Sequence, residues 1–259
     1  MRNLEEIREQ ISQCDDQIVK SLEKRMDYIQ EIIQYKQKNG LPILQPEQEK
    51  KQNKALVTKL QNHKFEEEIL DVFKYIVKNS RKIQAKSLFS YNIMLIGFMG
   101  AGKSTVSSYL SHLLEMEEVD TDQLIVEKEG MSISQIFEKY GEAYFRNCES
   151  NTLIELQRRK QLIVSCGGGI VLRDENVQHM KKRGRIVLLT ANPETTLERV
   201  KDSTQRPILN NNMNTKFIAE LMEKRKDKYL AASDIIVSTD NKTIAQVCEE
   251  VVAKLTEME

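Results

Sequence analysis

The chain has 259 residues, with 39 basic and 39 acidic side chains, so no net charge draws it to nucleic acid or an anionic membrane, and small molecules are its expected partners. Four scattered cysteines (Cys14, Cys148, Cys166, Cys248) and three dispersed histidines form no C-x-x-C pair and no ligand spacing, which argues against a disulfide framework or a zinc site. No stretch approaches the ~18 apolar residues of a membrane span or of a signal-peptide core, so a cytoplasmic protein is expected.

Leu4, Ile7, Ile11, Cys14, Ile18, Leu22, Ile29 and Ile32 recur mostly three or four apart, the stripe of one long amphipathic helix ending near Asn39-Gly40. Pro42 and Pro46 bracket a short connection. Two further helical patterns follow, from about Glu47 to Gln61 and from about Phe65 to Lys86. Only Gly40 of the ten glycines precedes Gly97, which suits a first segment made wholly of helix. The period changes at Tyr91–Ile96, a short apolar run that stops at a glycine and reads as a buried strand. Apolar runs at Leu162–Val164, Ile186–Leu189 and Ile235–Val237 alternate with helical patterns, as in a parallel sheet covered on both faces. The expected organisation is an all-α three-helix unit over residues 1–88 and an α/β P-loop unit with a parallel sheet over residues 91–259, with residues 87–90 as the linker.

Gly97-Phe98-Met99-Gly100-Ala101-Gly102-Lys103-Ser104-Thr105 fits G-x-x-x-x-G-K-[ST] between a strand and a helix. Glycines there let backbone N–H groups turn inward around phosphates, and the helix N-terminus adds partial positive charge. Lys103 is placed to reach the β- and γ-phosphates of ATP, and Ser104 to ligate Mg²⁺. Residues 100–105 thus form the nucleotide site, while the phosphoryl acceptor is left open. Asp120-Thr121-Asp122 offers two carboxylates on alternate residues at a strand end, one for Mg²⁺ and one for the acceptor. Phe145-Arg146 with Glu149, Cys166-Gly167-Gly168-Gly169, and Arg225 four residues before Tyr229 add two arginines and a second glycine-rich turn, which fit a small carboxylate-bearing acceptor.

These motifs, in this order over residues 91–255, resemble the shikimate kinases, down to a lid segment at Arg206-Pro207-Ile208-Leu209 and a final R-x-x-x-Y. The resemblance implies phosphorylation of shikimate by ATP. Asp122 would hold the reacting hydroxyl, Arg146 and Arg225 would clamp the carboxylate, and Gly167, Gly168 and Gly169 would line the shikimate site, the last two offering backbone N–H groups. Asp120 would act through Mg²⁺ with Ser104, Arg206 would add positive charge beside Lys103, and Arg199 would lie along the adenine. The polar run Lys201–Thr215 suits a mobile cover over the nucleotide.

In the first segment, Arg25 and Lys36 fall within about 20° of each other around a helix, whereas Arg8 lies about 100° from Arg25 and far along the axis. Arg8 therefore does not share their site within one chain. Ser80 and Gln84, four residues apart, share a face of the last helix. Residues 4–88 resemble the all-helical chorismate mutases, which interlock as dimers. That resemblance implies a homodimer in which Arg8 crosses into the partner's site, while Arg25, Lys36, Glu49, Ser80 and Gln84 surround chorismate at home, with Lys36 and Gln84 at the ether oxygen. Two positions depart from the family pattern: Gln45 stands where an aspartate is common and Gln48 where an arginine usually precedes the glutamate, and both remove charge. Two other readings stay open at this stage: a helical unit that only dimerises the kinase or senses chorismate or prephenate, and another P-loop metabolite kinase with a structural helical arm.

Overall fold

The structure, a computed structural model, describes residues 2–39, 41, 51, 55–200 and 214–258. The chain divides into two compact units, Met1–Ser87 and Leu88–Glu259.

The first unit is helical. Helix α1 (Leu4–Lys38) starts in a capping box, in which the Asn3 side chain accepts from backbone N–H groups while Glu6 reaches back to the Asn3 N–H. Glu5 and Glu6 sit at its positive end and Lys36 and Lys38 at its negative end, so charge and helix dipole agree. Its 35 residues run about 52 Å at the α-helical rise. Helix α2 (Glu66–Leu88) begins with three glutamates, after a 3₁₀ turn at His63–Phe65 capped by Asn62. Of the helix expected between about Glu47 and Gln61, residues 47–50 and 52–54 lie outside the described residues; residues 51 and 55–57 are helical, and a turn at residues 58–59 follows, so the helical pattern stops short of Gln61. The contact between α1 and α2 is polar as well as apolar: Arg25 donates to Ser80 Oγ, and Ser80 in turn donates to the Ile76 carbonyl at 2.8 Å. Ile33 is buried, whereas Leu4, Ile7, Ile11 and Ile18 of the same stripe are exposed.

Residues 87–90, expected as a linker, are not a free connection. Helix α2 runs on to Leu88, and both Leu88 and Phe89 are buried. Phe89 meets Tyr91 edge-on at 5.9 Å, and Gln161 donates to its carbonyl at 3.1 Å. The boundary between the two units nonetheless falls inside this segment, between Ser87 and Leu88.

The second unit is a five-stranded, wholly parallel sheet of β1 (Asn92–Ile96), β2 (Glu117–Asp120), β3 (Leu162–Ser165), β4 (Gly184–Thr190) and β5 (Ile235–Ser238), in the order β2-β3-β1-β4-β5. Strand β1 is central and every one of its residues is buried, as a strand covered on both faces must be. Helices α3 (Lys103–Leu114) and α9 (Ile244–Glu257) pack together, Cys248 of α9 lying against Val106 of α3. Helices α4 (Thr121–Glu129) and α5 (Ile133–Leu156) pair with each other, α6 (Asp174–Lys181) packs on α5 and β4, and α7 (Pro193–Val200) meets α8 (Thr215–Ala232). One core cluster joins Met94, Ile96, Val164, Ile186 and Leu188 of the sheet to Leu153, Met180 and Tyr229 of the helices.

Asn92 begins the central strand and is fully buried. Its side chain donates to the Arg159 carbonyl at 3.1 Å and accepts from the Leu162 N–H at 3.0 Å, which pins the start of β3 beside β1. Asn92→Ala strands a buried donor and a buried acceptor, each left without its partner. The substitution is expected to lower the stability of this unit by about 2 kcal/mol. Denaturant unfolding should show an earlier midpoint with the slope unchanged.

Candidate active site

Strand β1 delivers the chain into the phosphate loop at its carboxyl end. Gly97 (φ 149°) passes so close to β4 that a Cβ there would meet the Leu189 carbonyl oxygen at 2.3 Å, and only glycine fits. Gly102, in the left-handed region at φ 92°, turns the loop into α3, which begins at Lys103. Lys103 Nζ donates to the carbonyls of Gly97 and Phe98 at 2.9 and 3.2 Å and so lies across its own loop. Ser104 and Thr105 follow in the first turn of α3, and Ala101 is buried beneath the loop.

The two carboxylates expected together at a strand end are divided between two elements. Asp120 ends β2 and caps α4, its Oδ1 accepting from the N–H groups of Asp122 and Gln123 at 2.9 and 3.1 Å. Asp122 lies in the first turn of α4. A strand-only reading missed this because Thr121-Asp122 continues directly as helix once Asp120 supplies the cap.

Helix α5 contributes Phe145, Arg146 and Glu149, all buried despite two charges among them. Arg146 donates to Glu149 at 2.7 Å, and its other nitrogens donate to Glu142 at 2.9 and 3.1 Å. Burial lowers the Arg146 pKa, but the charge and hydrogen bonds of Glu149 and Glu142 outweigh it and leave the guanidinium more firmly protonated than usual. Burial pushes the Glu149 carboxyl up to about 7, against the pull of Arg146 and with the negative charge of Asp122 adding to the rise. Gly169 faces this arginine: a Cβ there would lie 2.3 Å from a guanidinium nitrogen.

The glycine turn after β3 is braced from two sides. The Gly167 N–H donates to Thr121 Oγ1 at 2.9 Å, and the Tyr229 hydroxyl donates to the Gly168 carbonyl. Burial pushes the Tyr229 pKa up to about 12 although Arg225 pulls it down, so the phenol stays a donor. Arg225, one turn earlier on α8, is half-buried beside it.

Lys103, Ser104, Asp120, Asp122, Arg146, Glu149, Gly168, Gly169 and Arg225 all line one cleft of about 500 Å³. Met99, Val126, Ile133, Phe137 and Phe145 give it an apolar wall, and Gln123, Ser165 and Cys166 complete the lining. The sequence reading did not anticipate this wall. Ile133 and Phe137, four apart on a helix, carry the same signal as any core-facing stripe. It also gave Tyr229 no role in the site. Arg199 lies on α7 and donates to the Gly100 carbonyl at 3.1 Å, which places it against the phosphate loop. Arg206 and the rest of the expected lid segment lie outside the described residues.

In the helical unit, Arg25 and Ser80 are hydrogen-bonded partners, and burial pulls the Arg25 pKa below its ordinary value. Lys36 and Gln84 are half-buried, and Arg8 is exposed about 25 Å from Arg25 along α1. Glu49, Gln45 and Gln48 lie outside the described residues.

A glycine-rich loop feeding a helix N-terminus at the carboxyl edge of a parallel sheet, facing a cleft with paired acidic and basic groups, defines a P-loop phosphoryl-transfer enzyme. The family model for shikimate kinase matches residues 99–256, and the chain belongs to that family. It is 45% identical over 168 residues to a shikimate kinase of Dehalococcoides mccartyi, covering 65% of this chain and 95% of that one. A shikimate kinase of Caldanaerobacter subterraneus is 41% identical over 161 residues, covering 62% and 94% of the two chains. Among solved structures, the shikimate kinase of Acinetobacter baumannii in complex with shikimate matches with a TM-score of 0.64 and 32% identity, over 68% of this chain and 98% of that one. Residues 7–85 match the model for chorismate mutase type II, so one chain carries the domains of two enzymes.

Glu149 gives the cleft a measurable pH signature. Between about 4.5 and about 7 the native protein keeps a proton on Glu149 that the unfolded chain releases. Its contribution to stability is therefore full below about 4.5 and lost as pH rises through about 7. Unfolding free energies of the wild type and Glu149→Gln, compared across that window, should tilt progressively against the wild type as pH increases. A difference independent of pH would show that Glu149 titrates as an ordinary carboxylate.

Proposed function

We propose that the two units perform the reactions of their two families: transfer of the γ-phosphoryl group of ATP to a hydroxyl of shikimate by the C-terminal unit, and rearrangement of chorismate to prephenate by the N-terminal unit. The observation that carries the first is the convergence of Lys103, Asp122, Arg146 and Arg225 on one cleft, since phosphoryl transfer needs in-line placement and charge neutralisation more than covalent help. Residues 100–105 hold the nucleotide phosphates, and Lys103 swings from its own loop carbonyls to the β- and γ-oxygens. Arg146 and Arg225 clamp the shikimate carboxylate with charge-assisted hydrogen bonds. Gly168 and Gly169 approach the ring with backbone while Gly167 holds the turn through Thr121, and the apolar wall covers the ring's carbon face. Asp122 accepts the proton of the reacting hydroxyl as the new P–O bond forms and the bond to the leaving ADP breaks. Arg199 lies along the adenine, and Arg206 adds charge from the lid.

Ser104 and Asp120 suit Mg²⁺: both present oxygen to the same cleft, and with one Asp120 oxygen committed to the helix cap, two protein ligands at most remain. That suits an ion that keeps waters and takes nucleotide oxygens rather than an all-protein cage. When bound, the ion neutralises charge on the phosphate oxygens.

For the mutase, Arg25, Lys36, Ser80 and Gln84, with Glu49, surround a dicarboxylate, and Lys36 and Gln84 stabilise the ether oxygen as it gains charge. Arg8 is too far along α1 to join them and enters the site of a second copy. The exposed stripe Leu4, Ile7, Ile11 and Ile18 is the surface on which that copy packs, making a homodimer. No helix among the described residues is long and apolar enough to cross a membrane, in keeping with a cytoplasmic enzyme.

A coupled assay of ADP release with shikimate tests the kinase. Asp122→Asn is expected to lower kcat by about a hundredfold or more while the KM for ATP stays within about twofold. Preference for another acceptor over shikimate would overturn the assignment. Optical loss of chorismate tests the mutase: turnover is expected, and Lys36→Ala should abolish it. No rate above the uncatalysed one would reduce the helical unit to a binding or dimerising module.

A further inference from the structure

The loops that follow β1, β4 and β5 meet at one point on the carboxyl edge of the sheet, and a threonine ties them. Thr239, immediately after β5, is buried, with 4% of its surface exposed. Its N–H and its hydroxyl both donate to the Thr190 carbonyl at the end of β4, at 2.8 and 3.1 Å. The same hydroxyl accepts from Arg199 at 2.9 Å, and the Thr239 carbonyl accepts from the second terminal nitrogen of Arg199 at 3.3 Å. The nitrogen that donates to Thr239 Oγ1 also donates to Gly100 in the phosphate loop. Next door, Asp240 accepts from the Asn192 N–H with both oxygens, and Asn192 caps α7 through the Thr195 N–H.

Arginine carries its donors around the edge of a flat guanidinium and has none on its faces. Here both terminal nitrogens are already engaged by protein oxygens. An arginine beside a polyphosphate would otherwise turn that edge toward the phosphates, as the strongest contact on offer. We propose that Thr239 is a positioning residue for the nucleotide: its hydroxyl locks the edge of Arg199 against Gly100, so that Arg199 presents its flat face to the base. This rests on the nucleotide site assigned above. The chemistry favoured is stacking on a planar heteroaromatic base, which adds affinity for a nucleotide and none for a bare chain of phosphates.

Calorimetric titration of the full-length protein with ADP and, separately, with inorganic tripolyphosphate distinguishes this role from a structural tie. Thr239→Val keeps the side-chain shape and removes the hydroxyl. It is expected to weaken ADP about tenfold and to leave tripolyphosphate within about twofold. Thr239→Ser, which restores the hydroxyl, should recover ADP binding. In an Arg199→Ala background, Thr239→Val should weaken ADP no further, because the hydroxyl acts through that arginine. ADP binding unchanged in Thr239→Val, equal loss of both ligands, or an additive effect without Arg199 would each overturn the proposal. Should Thr239→Val not fold, Thr239→Ala removes the same hydroxyl and is read by the same criteria. Wild-type protein that binds ADP yet phosphorylates no shikimate would refute the acceptor assignment and leave this test standing.

Discussion

Arg146 carries a full charge into a nearly dry part of the protein, and such a charge stands only when it is paired and hydrogen-bonded. Glu149, one turn along the same helix, supplies the pair, and Glu142 accepts from two further nitrogens on the more exposed side. Much of the acceptor cleft is arranged around this group. Gly169 has no side chain because the guanidinium occupies that space, and Phe145 lies under it with the ring centre 5.5 Å away. The glycine turn must then be held from elsewhere, which Thr121 and Tyr229 do from two other elements. One buried arginine thus bears on α4, the glycine turn after β3, α5 and α8 together.

The phosphate side is built on the opposite principle. There shape comes from close approach of the backbone: Gly97 against β4, Ala101 buried, Arg199 bound to a loop carbonyl. Two side chains fasten the loop by its carbonyls, Lys103 at Gly97 and Phe98 and Arg199 at Gly100. The two halves of the cleft therefore respond to substitution differently. On the acceptor side, removing one side chain leaves a buried charge unpaired; on the phosphate side, adding one blocks a backbone contact.

The sheet and the kinase cleft were legible because their signals are local. Four of the five strands contain a short apolar run, the acidic β2 being the exception, and the P-loop, the Phe145-Arg146 pair, the glycine triplet and the Arg225–Tyr229 spacing are contiguous or nearly so. What stayed hidden depends on contacts between segments far apart in sequence. Nothing near Thr239 announces that Arg199 will reach it, and Asn92 reads as a polar interruption of a strand until Leu162 and Arg159 arrive to use it. The junction at Leu88-Phe89 was misread because two apolar residues carry no periodicity, and burial there is decided by what packs around them. In the helical unit, wrapping α1 at a fixed angle was enough to separate Arg8 from Arg25, but only tertiary contact pairs Arg25 with Ser80.

Asp120 holds two offices at once. Its carboxylate closes the first turn of the helix that carries Asp122, and its second oxygen is the one proposed above for the cation. Any substitution that removes the cap lets the amino end of α4 fray and shifts Asp122 with it, so a lost activity would be ambiguous between charge and geometry. Asparagine caps a helix as well as aspartate but carries no charge. The drift open to this position is correspondingly narrow: a glutamate keeps the charge and forfeits the cap, an asparagine does the reverse, and aspartate alone among the common residues serves both.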